Sequence, residues 1–227
     1  MNWVNKDTEI YCSFAKQAGN TGCQVINSAF YYHGLNKIYK SFSVNNIEDA
    51  VNSVKTLGIK GFAITMPYKR DVIEFVDELD ESAELVGAAN TVINNNGILK
   101  AYNTDYLAAR EFLARRYDFA VAHKGAQYFK WKDNCYILGN GGYAAAVKAA
   151  MNSWQVYPET ITRDNWDKIS TLEKSLIYNC TPTKSWPRGN NEIIDCQTDT
   201  ETGKTLAIEQ ASYQYKLYTG LDFPINY

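Results

Sequence analysis

Strand and helix periodicities alternate from the start of this chain, and that alternation constrains the fold more than any single motif. Residues 9–14 read as a strand and residues 24–32 as a helix closed by Gly34. Residues 38–44 read as a second strand. Ile47, Ala50, Val51, Val54 and Leu57 then form one helical stripe, ended by Gly58. Residues 62–66 are a short apolar strand closed by Pro67. A βαβαβ order of this kind predicts a mostly parallel sheet covered by helices.

The pattern continues with helical pieces over 69–76 and 80–86. Two short strands, 91–93 and 98–101, flank Asn94-Asn95-Asn96-Gly97, a hairpin signal. A helix begins at Thr104 and runs toward Arg116, and residues 117–133, without clear periodicity, read as a connection between two lobes. The second lobe opens with a strand over 135–138, a glycine turn and a helix over 143–151. Further strands come at 159–162, 176–179 and 193–196, and a closing helix at 206–217. These are fewer β-α units than a full dinucleotide-binding lobe has. The fold class expected is therefore α/β and two-lobed: an N-terminal mixed α/β sandwich followed by an abbreviated Rossmann-like domain.

Composition narrows the function classes. With 227 residues the chain can bury a sizeable core, and 45% hydrophobic against 21% charged residues is an ordinary globular balance. A net charge of −2 gives no electrostatic case for nucleic acid or an anionic membrane. No apolar run approaches the roughly 20 residues that span a bilayer, and residues 1–7 lack a signal-peptide core, so a cytoplasmic setting is expected. Cys12, Cys23, Cys135, Cys180 and Cys196 are scattered and form no Cys-x-x-Cys pair, so buried free thiols are expected and no metal is. His33 and His123 sit in settings that do not point to catalysis.

Residues 61–105 carry the candidate chemistry. A buried strand ending in Thr65-Met66-Pro67-Tyr68-Lys69 delivers an ammonium to a strand end, and Asn103-Thr104-Asp105 ends a hairpin with a carboxylate. An amine beside a carboxylate can manage proton traffic on a hydroxyl-bearing substrate. A cation in the first turn of a helix opposes the macrodipole, so local stability does not account for Lys69, whereas the same dipole favours Asp105 as an ordinary early-turn carboxylate. Farther on, Gly139-Asn140-Gly141-Gly142-Tyr143-Ala144 places glycines where a strand-to-helix turn must let backbone approach a pyrophosphate. The next strand ends in Thr162-Arg163-Asp164. Arginine there suits the 2′-phosphate of NADP, where an acidic residue would grip the ribose of NAD.

Taken in order, these motifs resemble the shikimate dehydrogenases, and in particular their divergent shikimate dehydrogenase-like branch. The likeness includes Asn27, Gly34-Leu35-Asn36, Tyr39, residues 65–69, Gly87-Ala88-Ala89-Asn90-Thr91-Val92 and Asn103-Thr104-Asp105. It continues with residues 139–144, Thr162-Arg163, Asn179-Cys180-Thr181-Pro182, Gln210-Ala211 and Tyr218-Thr219-Gly220. The resemblance implies a reversible, NADP-linked oxidation of shikimate to 3-dehydroshikimate, on the route to aromatic amino acids. It makes Lys69 and Asp105 the catalytic pair. It gives the substrate hydroxyls to Asn90, Thr65 and Gln210, side chains that both donate and accept. Gly139, Asn140, Gly141, Gly142, Tyr143 and Ala144 line the pyrophosphate, Thr162 and Arg163 lie near the adenosine phosphate, and Gly203 lies near the nicotinamide. It also folds the C-terminal helix back, so that a substrate domain over 1–103 is completed by 205–227 and the cofactor domain covers 104–204. The partners implied are a shikimate-like hydroxy acid and, at most, a second copy of the chain as a homodimer.

Two departures qualify the likeness. The Ser-x-Ser-Pro whose hydroxyls bind the substrate carboxylate in that family is absent before Asn27. Asn20-Thr21-Gly22-Cys23 stands in its place, and Ser13-Phe14-Ala15, farther upstream, is a partial substitute that offers one hydroxyl, from Ser13, and none from Ala15. Losing two hydrogen bonds to a charged group weakens binding by roughly 3 to 6 kcal/mol unless they are replaced. Between Asp195 and Gly203, the strand, tyrosine-bearing loop and helix of the family are reduced to a few residues. A related acid such as quinate is the alternative substrate, and a catalytically silent metabolite-binding relative is the alternative function.

Overall fold

A computed structural model describes residues 4–117, 133–184 and 190–224. Most of the expected connection over 117–133 lies outside the described residues. The chain divides into two compact units, Met1–Thr104 with Ala211–Tyr227, and Asp105–Gln210.

The first unit is built on β1 (Glu9–Ala15), α1 (Thr21–Tyr32), β2 (Lys37–Ser43), α2 (Ile47–Leu57) and β3 (Gly61–Ile64). After these come β4 (Glu78–Leu79), α3 (Glu81–Val86), β5 (Thr91–Asn95) and β6 (Ile98–Tyr102). The sheet order is β2-β1-β3-β5-β6-β4. The βαβαβ reading accounts for the parallel trio β2-β1-β3. The sheet as a whole is mixed, however, because β3 pairs antiparallel with β5 and β5 with β6. The hairpin between the last two turns at Asn96 and Gly97, both at positive φ, with the Asn94 side chain accepting from the Gly97 N–H at 2.7 Å.

Strand alternation sorts β1 onto two faces. Cys12 and Phe14 join Val51 and Val54 of α2, Phe62, Ile64, Val92 and Leu99 in one core. Tyr11 faces the other way and packs with Ile26 and Phe30 of α1, Tyr39, Tyr215 and Tyr218. Each large apolar side chain buried this way contributes about 1.5 to 3 kcal/mol. Capping fixes the ends of α2: Asn46 accepts from the Glu48 N–H at 2.8 Å, and Gly58 closes the helix in the left-handed region. The helix expected over 69–76 is instead a five-residue 3-10 turn, Asp71–Phe75. Lys69 therefore precedes a short turn and does not occupy the first turn of an α-helix.

The second unit follows α4 (Thr104–Tyr117), which crosses the unit boundary after its first residue. It contains β7 (Cys135–Leu138), α5 (Gly142–Ser153), β8 (Glu159–Ile161), β9 (Leu176–Asn179) and β10 (Glu192–Asp195). Its four strands are all parallel, in the order β10-β9-β7-β8. Leu138, Ile161, Leu172 and Ile177 form a core on one face of this sheet. α6 (Glu201–Thr219) starts five residues earlier than its apolar pattern indicates and carries the chain from the second unit back into the first. Among the described helices none is long and apolar enough to cross a membrane. Cys12 and Cys135 are buried free thiols as expected, while Cys23, Cys180 and Cys196 are only partly buried.

Candidate functional site

The strand ends of the first unit gather four of the residues singled out from the sequence. β1 and β3 are parallel neighbours with Ser13 beside Ala63, so the loop leaving β3 lies next to the loop leaving β1. The backbone makes the link explicit. Thr65 donates to the Phe14 carbonyl at 3.1 Å, and Lys16 donates to the Met66 carbonyl at 3.2 Å. The chain then turns, with Tyr68 donating to the Thr65 carbonyl at 3.0 Å, and presents Thr65 and Met66 to solvent. The Lys69 carbonyl accepts from the Ala89 N–H at 2.7 Å, tying the lysine to the loop that leads into Asn90. Asn90 in turn offers its carbonyl to the Ile64 N–H at 2.9 Å.

Asn90 is the organising side chain. It is buried, and its Oδ1 accepts from the Thr104 N–H at 2.8 Å, the Thr104 hydroxyl at 3.1 Å and the Thr91 hydroxyl at 3.1 Å. Among the described residues, the amide nitrogen Nδ2 makes no hydrogen bond, which leaves its two protons for a ligand. Oδ1 thus fixes the chain one residue before Asp105, in the first turn of α4. Asp105 is itself buried.

Gln214, which the sequence pattern alone does not single out, belongs to the same network, donating from Nε2 to the Thr91 hydroxyl at 3.1 Å. A usable signal is nonetheless present: Gln214 lies on the helical stripe of Ala211, Tyr215 and Tyr218, all buried, and a polar residue there needs a partner. Ser13 is the fourth gathered residue. Its hydroxyl donates to Ser41 of β2 at 2.9 Å.

The second unit gathers most of the residues assigned to a cofactor. Gly139 leaves β7 at φ +99°, and a Cβ there would meet the Thr181 methyl at 3.0 Å, so both conformation and crowding require glycine. The Gly139 N–H donates to the Ile161 carbonyl at 2.8 Å, which sets Thr162 beside the turn. Gly141 caps α5 with no side-chain hydrogen bond, and the first turn of α5 has no acidic residue. The positive helix end and its free N–H groups are therefore available to an anion. Thr162 caps a 3-10 turn that begins at Arg163, and Arg163 is exposed with no ion pair or hydrogen bond among the described residues.

Asn140 is exposed and Ala144 buried beside them. Tyr143 behaves differently from the rest of the turn. Its hydroxyl meets that of Tyr178 in β9 at 3.2 Å. Burial above all holds both phenols well above the usual tyrosine range, and the Asp105 carboxylate adds to it.

Gly203 is not brought to this turn. It lies in the first turn of α6, beyond β10, which β9 separates from β7. A Cβ there would sit 1.9 Å from the Gln197 carbonyl oxygen, so close packing alone demands glycine. The short passage from β10 to α6 is a tight polar turn. The Asp195 N–H donates to the Thr202 hydroxyl at 3.1 Å, and the Thr200 hydroxyl donates to the Gln197 carbonyl at 2.7 Å. Gln210 lies midway along α6, at the last position of the second unit.

Asn179, fully buried at the end of β9, enters the sequence pattern only as part of a motif. It donates to Asp195 at 3.0 Å and accepts from the Thr181 N–H at 3.0 Å and its hydroxyl at 2.7 Å, shaping the loop against which Gly139 packs. Among the described residues, no group of His, Cys, Asp and Glu could hold a metal ion.

Known proteins share this framework. A family model described as the shikimate dehydrogenase substrate binding domain matches residues 21–92. The shikimate dehydrogenase (NADP(+)) of Alkaliphilus metalliredigens is 48% identical over an alignment covering 88% of this chain and 87% of that protein. The shikimate dehydrogenase-like protein of Haemophilus influenzae is 37% identical over 66% of this chain, a match spanning about half, 51%, of that relative. Among solved structures, the shikimate 5-dehydrogenase-like protein HI0607 aligns with a TM-score of 0.78 at 27% identity, covering 98% of this chain and 96% of that one.

Proposed function

Because this chain belongs to the shikimate dehydrogenase family, we propose that it interconverts shikimate, or a related cyclic polyol acid, and its 3-dehydro form with NADP(H). The observation that supports this reading best is the Asn90 network. One buried amide fixes the start of α4 through its oxygen, keeps two donors for a ligand, and lies on the loop tied to the Lys69 backbone. Such an arrangement suits a substrate whose hydroxyls need both donors and acceptors.

In this reading, residues 1–103 with 205–227 hold the substrate and residues 104–204 hold the cofactor. Lys69 protonates or stabilises the developing alkoxide, and Asp105 orients the hydroxyl and the amine. Asn90, Thr65, Gln210 and Ser13 hold the remaining polar groups of the substrate. Gly139, Asn140, Gly141, Gly142, Tyr143 and Ala144 form the pyrophosphate turn. Thr162 and Arg163 meet the adenosine phosphate, and the open helix end and the unpaired guanidinium fit that group. Gly203 is assigned to the nicotinamide side. NADP, when bound, supplies or accepts the hydride.

The tight turn from β10 into α6 and the absence of a hydroxyl at Ala15 favour one alternative, a relative that binds a small metabolite without turnover. NADPH fluorescence on mixing with protein separates the two readings. Binding followed by turnover of shikimate, quinate or dehydroshikimate supports the dehydrogenase, and no binding at high micromolar concentration removes it. Lys69→Ala is expected to lose nearly all of the rate while folding normally. Unchanged turnover in that variant removes the assignment of Lys69.

A further inference from the structure

We infer that Ser41, on β2, is a substrate-contacting specificity residue that supplies, with Ser13, the pair of hydroxyls for the carboxylate of the acid. It thereby takes the place left empty by Ala15. This rests on the proposed function and names the group that reads the acid end of its substrate.

The parallel register of β1 and β2 sets Ser13 directly beside Ser41. Both project from the sheet face that also carries Tyr11 and Tyr39, the face that packs with α1. Their oxygens lie 2.9 Å apart, with Ser13 donating. Two hydroxyls at that separation can each turn a proton to one oxygen of a single carboxylate, and hydrogen bonds to a charged acceptor are the stronger kind. Ala15 lies two residues farther along the same face. Its own lateral neighbour, Ser43, accepts from the Ala18 N–H at 3.0 Å and so is engaged in holding the loop.

The surroundings favour a negative group at this pair. Cys23, in the first turn of α1, sits 3.1 Å from the Ser41 hydroxyl, which places the helix N-terminus at the pair. That helix has twelve residues, no side-chain cap and no acidic residue in its first turn, so its positive end is uncompensated.

A second, independent observation points to a ligand. The Tyr218 hydroxyl is buried, and among the described residues it has no hydrogen-bond partner. A buried polar atom without a partner costs free energy unless a ligand oxygen or water meets it. The Tyr218 ring lies 6.4 Å, centroid to centroid, from that of Tyr39, which shares β2 with Ser41. The orphan hydroxyl belongs to a side chain packed on the same sheet face as the serine pair.

The test measures shikimate binding by saturation-transfer NMR, and kcat and KM in the NADP-linked assay. Ser41→Ala is expected to weaken shikimate binding and raise KM about tenfold or more, with kcat changed less than about threefold. Adding Ala15→Ser in that background is expected to recover most of the loss by returning a hydroxyl to β1. Shikimate methyl ester, which lacks the charge, is expected to bind the wild type and Ser41→Ala alike. If Ser41→Ala does not fold, Ser41→Cys keeps the volume, weakens the donor and should show the same loss. Unchanged shikimate affinity in the variant that folds, or equal losses for acid and ester, overturns the role of Ser41 and leaves the dehydrogenase reading intact. Shikimate binding that depends on Ser41 but gives no turnover supports the subsite and removes the dehydrogenase reading. A wild type that binds neither shikimate nor quinate overturns both.

Discussion

Asn90 and Thr104 are joined twice, the amide oxygen of Asn90 accepting both the backbone N–H and the hydroxyl of Thr104, at 2.8 and 3.1 Å. Both residues are buried, so neither water nor a neighbouring side chain substitutes readily when the oxygen is removed. Asn90→Ala strands three donors, the Thr104 N–H and the hydroxyls of Thr104 and Thr91, and is expected to cost about 2 to 4 kcal/mol of folding stability. A shift in the urea midpoint corresponding to less than about 1 kcal/mol would show that the amide serves the ligand alone.

Cys135 gives a pH dependence with a definite sign. Burial, with a smaller contribution from the Asp133 carboxylate, pushes its thiol up to about 12 from an ordinary value of 9.0. The folded state therefore prefers the protonated thiol. That preference is fully present below pH 9 and is lost as pH rises toward 12, where the unfolded chain ionises first. Urea unfolding at about pH 8, 9 and 10 is expected to show stability falling more steeply for the wild type than for Cys135→Ala. The difference in slope approaches, at most, one proton, about 1.4 kcal/mol per pH unit. Equal slopes would place this thiol in contact with water in the folded protein.

The parallel trio β2-β1-β3, the hairpin at Asn96-Gly97 and the glycine turn after β7 are legible in the sequence, because each rests on short-range chemistry. Apolar period, positive φ and helix-end signals are local, and they can be read where they occur. The antiparallel insertion of β5 between β3 and β6 is not legible, since pairing between distant strands leaves no local mark. The 3-10 turn at Asp71–Phe75 escapes for a related reason, as its apolar spacing over five residues is shared with an α-helix. Thr65, Lys69 and Asn90 are legible as an ordered motif. Gln214 and Ser41 are not, because their roles come from the residues brought beside them, Thr91 and Ser13.

Arg163 tests the choice between NADP and NAD. The side chain is exposed and makes no ion pair or hydrogen bond among the described residues, so its removal leaves the fold untouched. Arg163→Ala is expected to weaken NADPH binding by about 10- to 100-fold, since a charge-assisted bond to phosphate contributes about 1.5 to 3 kcal/mol. NADH binding should change less than about twofold. Equal losses for both nucleotides would move the 2′-phosphate contact to another residue.

Gly141 separates what the fold needs from what a nucleotide needs. Its φ of −71° is open to any residue, and a Cβ added there meets no atom within 4 Å. Gly139, two residues earlier, has φ +99° and no room beside Thr181. Gly139→Ala is therefore expected to lower stability by about 1 to 3 kcal/mol through strain and crowding. Gly141→Ala puts a poorer residue at the N-cap of α5 and is expected to cost only about 0.5 to 1 kcal/mol, with no strain or crowding. Beyond that capping loss, the effect of the methyl falls on the group that docks against the N-terminus of α5, where a pyrophosphate needs the backbone bare. NADPH titration of Gly141→Ala is expected to show affinity reduced about tenfold or more. An unchanged dissociation constant in the folded variant would mean that the helix end receives no phosphate, and the cofactor turn would have to be sought elsewhere in the second unit.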